Sequence, residues 1–222
     1  MTTVQDLFDQ NVHIGHRTDR WNPKMRPYLY EEKVAGVHVF DLDMTAAGLE
    51  AARNFLAAIK LKNGKALFVG TKPQVSLVLH KQLEGAKHFY IDENWAPGLL
   101  TNFKEIRKRI DHYLNLKSQF ASGEINKYTK KEVSKFKKEL DKLEITYHGV
   151  AEMRKKPDVM VVLDAVGNRL AIAEANKAGI PVIALVDSNA DPDGIDFVVP
   201  GNDDSLKSVG FLLKNMLQSL DK

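Results

Sequence analysis

The sequence predicts an α/β protein: a three-layer α/β/α sandwich on a parallel sheet, with an inserted antiparallel coiled-coil helical hairpin. Three observations carry that expectation. Short β-branched or aromatic runs alternate with helix-like stretches, the order that puts helices on both faces of a mostly parallel sheet. The runs are continuously apolar rather than alternating, as strands buried on both faces require. From Phe103 to Tyr147 the strand signal stops, and apolar residues recur at coiled-coil spacing instead.

The strand-like runs are Gly36 to Phe40, Ala66 to Val69, His88 to Ile91, Val159 to Leu163 and Val182 to Val186, with Asp196 to Val199 as a sixth candidate. Helix-like stretches lie at Thr45 to Lys60, Pro73 to Leu83, Asn168 to Ala178 and Ser205 to Leu220. Punctuation agrees with these bounds. Pro73 suits a first helical turn, where its missing N–H does no harm. Gly179 ahead of Ile180-Pro181 is a helix stop followed by a strand start.

In the interrupting segment Phe103, Ile106, Ile110 and Tyr113 are spaced 3-4-3, and Val133, Phe136, Leu140, Leu143 and Tyr147 are spaced 3-4-3-4. Each seam is preceded by a capping-box pattern, Asn102 with Glu105 and Thr129 with Glu132. Ser122-Gly123 begins the reversal between them. The expected organisation is a globular domain of residues 1–102 and 149–222 and an inserted arm of 103–148. Helices of about 20 residues would project roughly 30 Å at 1.5 Å per residue. A narrow seam leaves Lys104, Arg107, Lys108, Arg109, Lys130, Lys131, Lys135, Lys137 and Lys138 on the outside. Such an arm suits phosphate contacts along RNA, or, with acids interleaved, a solvated coiled coil that meets only protein.

A chain of 222 residues with 44% apolar side chains can hide roughly 70% of its unfolded surface. Cysteine is absent, which excludes disulfides and thiolate metal sites and agrees with a reducing compartment. No apolar run approaches the roughly 18 residues of a membrane helix. Met1 to Asp6 has no signal-peptide or transit-peptide character. A soluble protein used where it is made, with no membrane partner, is therefore expected. The net charge is only +3, but it is unevenly spread: 12 Lys and Arg face 7 Asp and Glu between Lys104 and Glu144, whereas 2 face 9 between Asp158 and Asp204. Such asymmetry predicts two different partners, or else two ordinary solvated faces.

The least globular stretch is His13-Ile14-Gly15-His16-Arg17-Thr18-Asp19-Arg20-Trp21-Asn22-Pro23-Lys24-Met25-Arg26-Pro27-Tyr28. Arg17, Arg20, Lys24 and Arg26 surround Trp21, and two prolines stiffen the backbone. Charge for phosphates and a flat ring for stacking are what recognition of folded RNA needs. Trp21 could equally plug the core.

This stretch resembles the N-terminal signature of the small-subunit ribosomal protein number two family, in its bacterial or organellar form. The similarity continues in order through Leu67-Phe68-Val69-Gly70-Thr71-Lys72, Leu99-Leu100-Thr101-Asn102-Phe103, Lys130-Lys131-Glu132, Ile180-Pro181-Val182, Val186-Asp187-Ser188-Asn189-Ala190-Asp191-Pro192, Ile195-Asp196-Phe197 and Pro200-Gly201-Asn202-Asp203-Asp204. Two departures stand out. Asn94-Trp95-Ala96-Pro97-Gly98 occupies the place of a usual Arg-Trp-Leu-Gly-Gly, and His148-Gly149 that of a usual glycine pair. The resemblance implies a flavodoxin-like five-stranded sheet of order 2-1-3-4-5 and a non-enzymatic, structural role in translation. It implies a place where head meets body on the solvent side of the small subunit, cytoplasmic or in an organelle. Implied partners are small-subunit rRNA and neighbouring ribosomal proteins, including the large mRNA-binding ribosomal protein number one, without homo-oligomerisation. The implied rRNA-facing residues are Arg17, Trp21, Asn22, Lys24, Lys72, Thr101, Asn102, Lys104 and Arg107, to which the charge pattern adds Arg20 and Lys108. The acidic half would face protein.

An enzymatic reading competes with this one. The chain has no G-x-G-x-x-G after a strand and no G-x-x-x-x-G-K, Ile59 standing where Gly64-Lys65 would need its first glycine. A G-x-S-x-G elbow is also absent. Gly70-Thr71-Lys72-Pro73 sits at a strand-to-helix junction, where N–H groups favour an anion such as an rRNA phosphate. The strongest chemical constellation is acidic: Asp164, Asp187, Asp191, Asp193, Asp196, Asp203 and Asp204 at or after strand ends. Mg²⁺ suits carboxylates alone, and His16 would permit Zn²⁺. The resemblance favours a structural metal on His16, Asp187 and Asp203 or Asp204, with no cofactor required. Capping and Asx-turn work by the aspartates is the alternative, and a carboxylate-dependent phosphatase is the rival function.

Overall fold

The computed structural model describes residues 2–34, 36–83 and 86–221. In chain order the elements are α1 (Val4–Asp9), β1 (Ile14–Arg17), β2 (Val37–Val39), α2 (Leu42–Leu61), β3 (Ala66–Val69), α3 (Pro73–Leu83), β4 (Phe89–Ile91), α4 (Phe103–Ser122), α5 (Lys130–Tyr147), β5 (Val159–Val162), α6 (Arg169–Lys177), β6 (Val182–Val186), β7 (Phe197–Pro200) and α7 (Leu206–Asp221). Single 3₁₀ turns occupy Pro23–Tyr28, Glu124–Lys127 and His148–Val150.

Five strands form one parallel sheet in the order β4-β3-β5-β6-β7. Numbered within the sheet, that is 2-1-3-4-5, as the resemblance implies. The continuous apolar runs are explained by the pleat, which sends successive side chains to opposite faces. Ala66, Phe68, Val159, Val161, Ile183 and Leu185 pack with Leu49, Leu56, Leu79, Leu212 and Leu213 of α2, α3 and α7. Leu67, Val69, Met160, Val162, Val182 and Ala184 pack the other way, with Ala171 and Ala175 of α6 and the base of the hairpin. Every residue of β3, β5 and β6 is buried.

The run at Gly36–Phe40 departs from expectation. It is not a strand of the parallel sheet. Its core, β2, pairs antiparallel with β1 as a separate two-stranded ribbon, Ile14 opposite Val39 and Arg17 opposite Val37. The burial pattern gives the reason: His38 is buried while Val37 and Val39 are only half-buried, so one face of the strand has no helix to cover it. The sixth candidate run, by contrast, becomes the edge strand β7.

α4 and α5 pack antiparallel. Toward the tip, Lys137 Nζ stands 6.0 Å from the Phe120 ring centre; further down, Lys117 Nζ lies 2.8 Å from Glu144 Oε1 and His112 Nε2 2.9 Å from Glu139 Oε1. On α4, Ile106, Ile110, Tyr113 and also Leu116 are buried, whereas on α5 only Leu140 and Tyr147 are, Val133, Phe136 and Leu143 being half-buried. Gly123 takes φ +75° and ends α4, the left-handed cap that glycine adopts without a Cβ penalty. Thr129 and Glu132 form the complete capping box expected of them. Asn102 does not: it occupies the N-cap position of α4 with φ −125°, ψ 44° and no side-chain cap hydrogen bond.

Candidate nucleic-acid interface

Because β3 to β7 are parallel, their carboxyl ends share one edge, where sheets of this kind place their binding loops. The segments 70–72, 92–102, 164–168, 187–193 and 200–205 all emerge there. The N-terminal segment is laid across the same edge. Asn22 N–H donates to Ser188 O at 2.8 Å, and His16 N–H to Ser188 Oγ at 2.8 Å. The approach is close enough to need Gly15, since a Cβ there would lie 2.9 Å from Ser188 Oγ and 3.0 Å from His38 O. Sequence-distant loops therefore meet on one surface, and the structure sorts the candidate residues on it.

Arg17 is 80% exposed at the end of β1, with Nε 3.8 Å from Asp19. Arg20 is exposed too. Trp21 neither plugs the core nor stands free; half-buried, its ring leans on His38 with centres 4.9 Å apart. Asn22 uses its Oδ1 to cap the following 3₁₀ turn, accepting from Lys24 N–H at 3.0 Å. Thr101 and Asn102 are exposed, and Asn102, freed from capping, presents its amide. Lys104, Lys108 and Arg109 are exposed on α4, with Lys108 2.8 Å from Glu105.

Three expected RNA contacts are committed within the chain. Lys24 Nζ is 2.8 Å from Asp191 and 2.6 Å from Asp193, hydrogen bonds that raise its pKa. Arg107, only 13% exposed, donates from Nη1 to the carbonyls of Ala151 (2.9 Å) and Met153 (3.0 Å) while pairing with Asp111. It ties α4 to the segment that follows α5 and is not among the exposed cations expected there. Lys72 turns into the carboxylates: its Nζ is 2.6 Å from Asp203, 3.1 Å from Asp204 and 3.7 Å from Asp164. Burial works against that ammonium, but Asp203 and Asp164 outweigh it and hold the pKa above the usual value. The other side of the pair feels the crowding, since burial and then Asp187 push the Asp203 carboxyl up against the pull of Lys72.

The acidic segment is extensively paired within the chain. Asp164, Asp187, Asp191, Asp193, Asp203 and Asp204 all meet a cation or imidazole of this chain. Much of their remaining capacity does turn and capping work. Asp164 Oδ1 accepts from Gly167 N–H, Asp191 Oδ1 from Asp193 N–H, Asp187 Oδ1 from Ser188 N–H, and Asp196 Oδ2 from Val182 N–H. Of the expected metal set, His16, Asp187 and Asp204 do converge, each offering a ligand atom within 4.8 Å of the others. His16 Nδ1 is 2.9 Å from Asp187 Oδ1 and Nε2 is 3.3 Å from Asp204 Oδ2. The hydrogen bond to Asp187 raises the His16 pKa, burial opposing it. Asp203 lies outside the converging group; its Oδ1 is held by Lys72, while its buried Oδ2 has no hydrogen-bond partner among the described residues.

One organising residue escaped the sequence reading. Glu174 of α6 is buried, and its carboxylate accepts from Trp95 Nε1 (3.1 Å), Gly98 N (2.7 Å), Leu100 N (3.1 Å), Thr101 N (3.2 Å) and Thr101 Oγ1 (3.1 Å). It thereby shapes the loop that carries Thr101 and Asn102. Burial pushes this carboxyl up, but the donors of Gly98, Trp95, Thr101 and Leu100 outweigh burial and hold it below the ordinary range. A signal was present, because Glu174 falls on the same helix stripe as buried Ala171, Ile172 and Ala175. An acid on an apolar stripe must be paired or hydrogen-bonded.

The family described as ribosomal protein S2 matches residues 7–222. The small ribosomal subunit protein uS2 of Buchnera aphidicola subsp. Baizongia pistaciae is 41% identical over 222 residues, 100% of this chain and 97% of the relative. That of Dehalococcoides mccartyi is 36% identical over 219 residues (99% and 89%), and that of Hahella chejuensis 41% over 217 residues (98% and 85%).

Proposed function

The chain belongs to the ribosomal protein S2 family, a structural part of the small ribosomal subunit and of translation rather than an enzyme, and we propose that it holds rRNA through the carboxyl edge of its sheet. The observation that carries this reading is that the N-terminal segment, with exposed Arg17 and Arg20 and the half-buried Trp21 ring, is laid across the carboxyl edge from which the loop bearing exposed Asn102, and beyond it Lys104 and Lys108, also emerges. Guanidinium and ammonium groups serve phosphates, and a half-exposed ring and a spare amide serve base or sugar. Lys24, Lys72 and Arg107 act in this reading as internal braces that fix those loops. Residues 103–148 form an inserted arm with a coiled-coil seam, whose exposed Lys130, Lys131, Lys135 and Lys138 reach along the same polyanion. The body comprises 1–102 and 149–222.

The position follows from the family resemblance: the head–body junction of a bacterial or organellar small subunit, with ribosomal protein number one docked nearby and no self-association. A divalent ion on His16, Asp187 and Asp204 would tie the N-terminal segment to the end of β6 as a structural pin. Among the described residues no helix is long and apolar enough to cross a membrane.

Reconstitution tests the reading. Small subunits lacking this protein should take up the wild-type chain in a salt-sensitive manner. Arg17→Ala with Arg20→Ala should weaken uptake and lower the salt slope by about one for each phosphate no longer neutralised. Uptake unaffected by that double change would refute the assignment of the edge. Subunits assembled without this chain should also retain less ribosomal protein number one.

A further inference from the structure

A second cluster lies at the β4 end of the same edge, where the chain returns from α5 to the sheet. It joins His80 of α3, Asp92 just past β4, and His148, which caps α5 where the inserted segment returns to the body. We propose that these three side chains form a Zn²⁺ site that fastens the base of the arm to α3 and the sheet.

The geometry supports a shared ion better than a set of hydrogen bonds. His148 Nε2 is 3.3 Å from Asp92 Oδ1, and His80 Nδ1 is 3.6 Å from Asp92 Oδ2. The second separation is too long for a hydrogen bond. Two ligands held roughly 2.0–2.1 Å from a tetrahedral zinc lie about 3.4 Å apart, close to both distances. One ligand atom from each of the three residues lies within 4.8 Å of the others.

A second, independent observation is Asp92 itself. Its side chain is 7% exposed, and Oδ1 is buried with no hydrogen-bond partner among the described residues. A buried carboxylate oxygen without a donor is costly, and a cation at this position removes the cost. The imidazole is already oriented for the purpose. His148 Nδ1 is 2.9 Å from the backbone oxygen of Glu144, so Nδ1–H donates there and Nε2 faces Asp92, free to exchange its proton for a metal. A ligating histidine is ordinarily fixed in this way. The Tyr90 hydroxyl is 3.5 Å from His80 Nδ1 and would yield that nitrogen to the metal.

Two imidazoles and one carboxylate suit zinc better than magnesium, which prefers oxygen alone. The fourth position opens into a cavity of about 560 Å³ bordered by Thr71, Ser76 and Glu93, so water or Glu93 can complete the tetrahedron.

Equilibrium dialysis of the purified full chain against ZnCl₂, followed by metal analysis, tests this. A His16→Gln background silences the other candidate site. That variant should retain one equivalent of Zn²⁺, and adding His80→Gln and His148→Gln should abolish it. Zn²⁺ should raise the melting temperature of the first protein and not of the second, while both share the same circular dichroism without metal. Replacing Zn²⁺ by Co²⁺ should give tetrahedral d–d absorption only where both histidines are intact. Equal zinc content with and without the two histidines, or none in the His16→Gln protein, would overturn the proposal.

Discussion

The carboxyl edge and the arm carry charge in opposite ways. At the edge, cations and anions far apart in sequence pair across the fold: Lys24 with Asp191 and Asp193, Lys72 with Asp164, Asp203 and Asp204. On the arm several pairs are local, three or four residues apart, such as Lys108 with Glu105, Lys127 with Glu124 and Lys137 with Asp141. Exposed pairs of that kind contribute little to stability, so under the proposed function these lysines remain available to phosphates. The Lys72 pairs are partly buried and neutralise acids that would otherwise repel one another, whereas those of Lys24 lie exposed. A lysine's worth to a ligand thus depends on what it already holds, and the two regions use the same residue type for bracing and for reach.

The largest effect should come from breaking the edge. Lys72→Met leaves Asp203 and Asp164 buried without their ammonium and should cost about 3–5 kcal/mol, read as a lower urea midpoint. A midpoint shift worth under about 1 kcal/mol, the size of an exposed pair, would erase the distinction between the two regions.

Glu174→Gln comes next, at about 2 kcal/mol for donors left with a weaker acceptor. It also carries a pH signature. The folded pKa of Glu174 is depressed, so its contribution is fully present above the unfolded carboxyl value and is lost as pH falls through the folded one. The wild type should therefore lose stability toward acid more steeply than the Gln variant, as denaturant midpoints between about pH 6 and pH 3 would show.

Arg107→Met should cost about 1–2 kcal/mol through the orphaned carbonyls of Ala151 and Met153. Hydrogen exchange should quicken at the arm's root and leave β5 and β6 unchanged. The smallest effect on stability sharpens the contrast most. Changing Lys130, Lys131, Lys135 and Lys138 together to Gln should move the midpoint by no more than about 0.5 kcal/mol yet weaken salt-sensitive uptake into small subunits. Undiminished uptake would make the arm a protein contact.

Much of this was legible along the chain. The five sheet strands, the helix stops at Gly123 and Gly179 and the Thr129–Glu132 box depend on residues within a few positions of one another. Periodicity and capping operate over that same short range. Reading by residue type went astray where two local options competed. Asn102 and Glu105 have the spacing of a capping box, but the backbone at Asn102 takes φ −125°, ψ 44°, and its neighbours Leu100 and Thr101 are bound to Glu174.

The sequence by itself determined the layers, the inserted helix pair and the family, because short-range patterns and ordered blocks of residues survive without coordinates. Only the tertiary structure decided which charges are already paired and which are offered. Parallel pairing brings strand ends to one edge regardless of their separation in the chain, and the N-terminal segment and α3 pack beside that edge, so Lys24 meets Asp191, and His80 meets Asp92 and His148, through contacts no local spacing encodes.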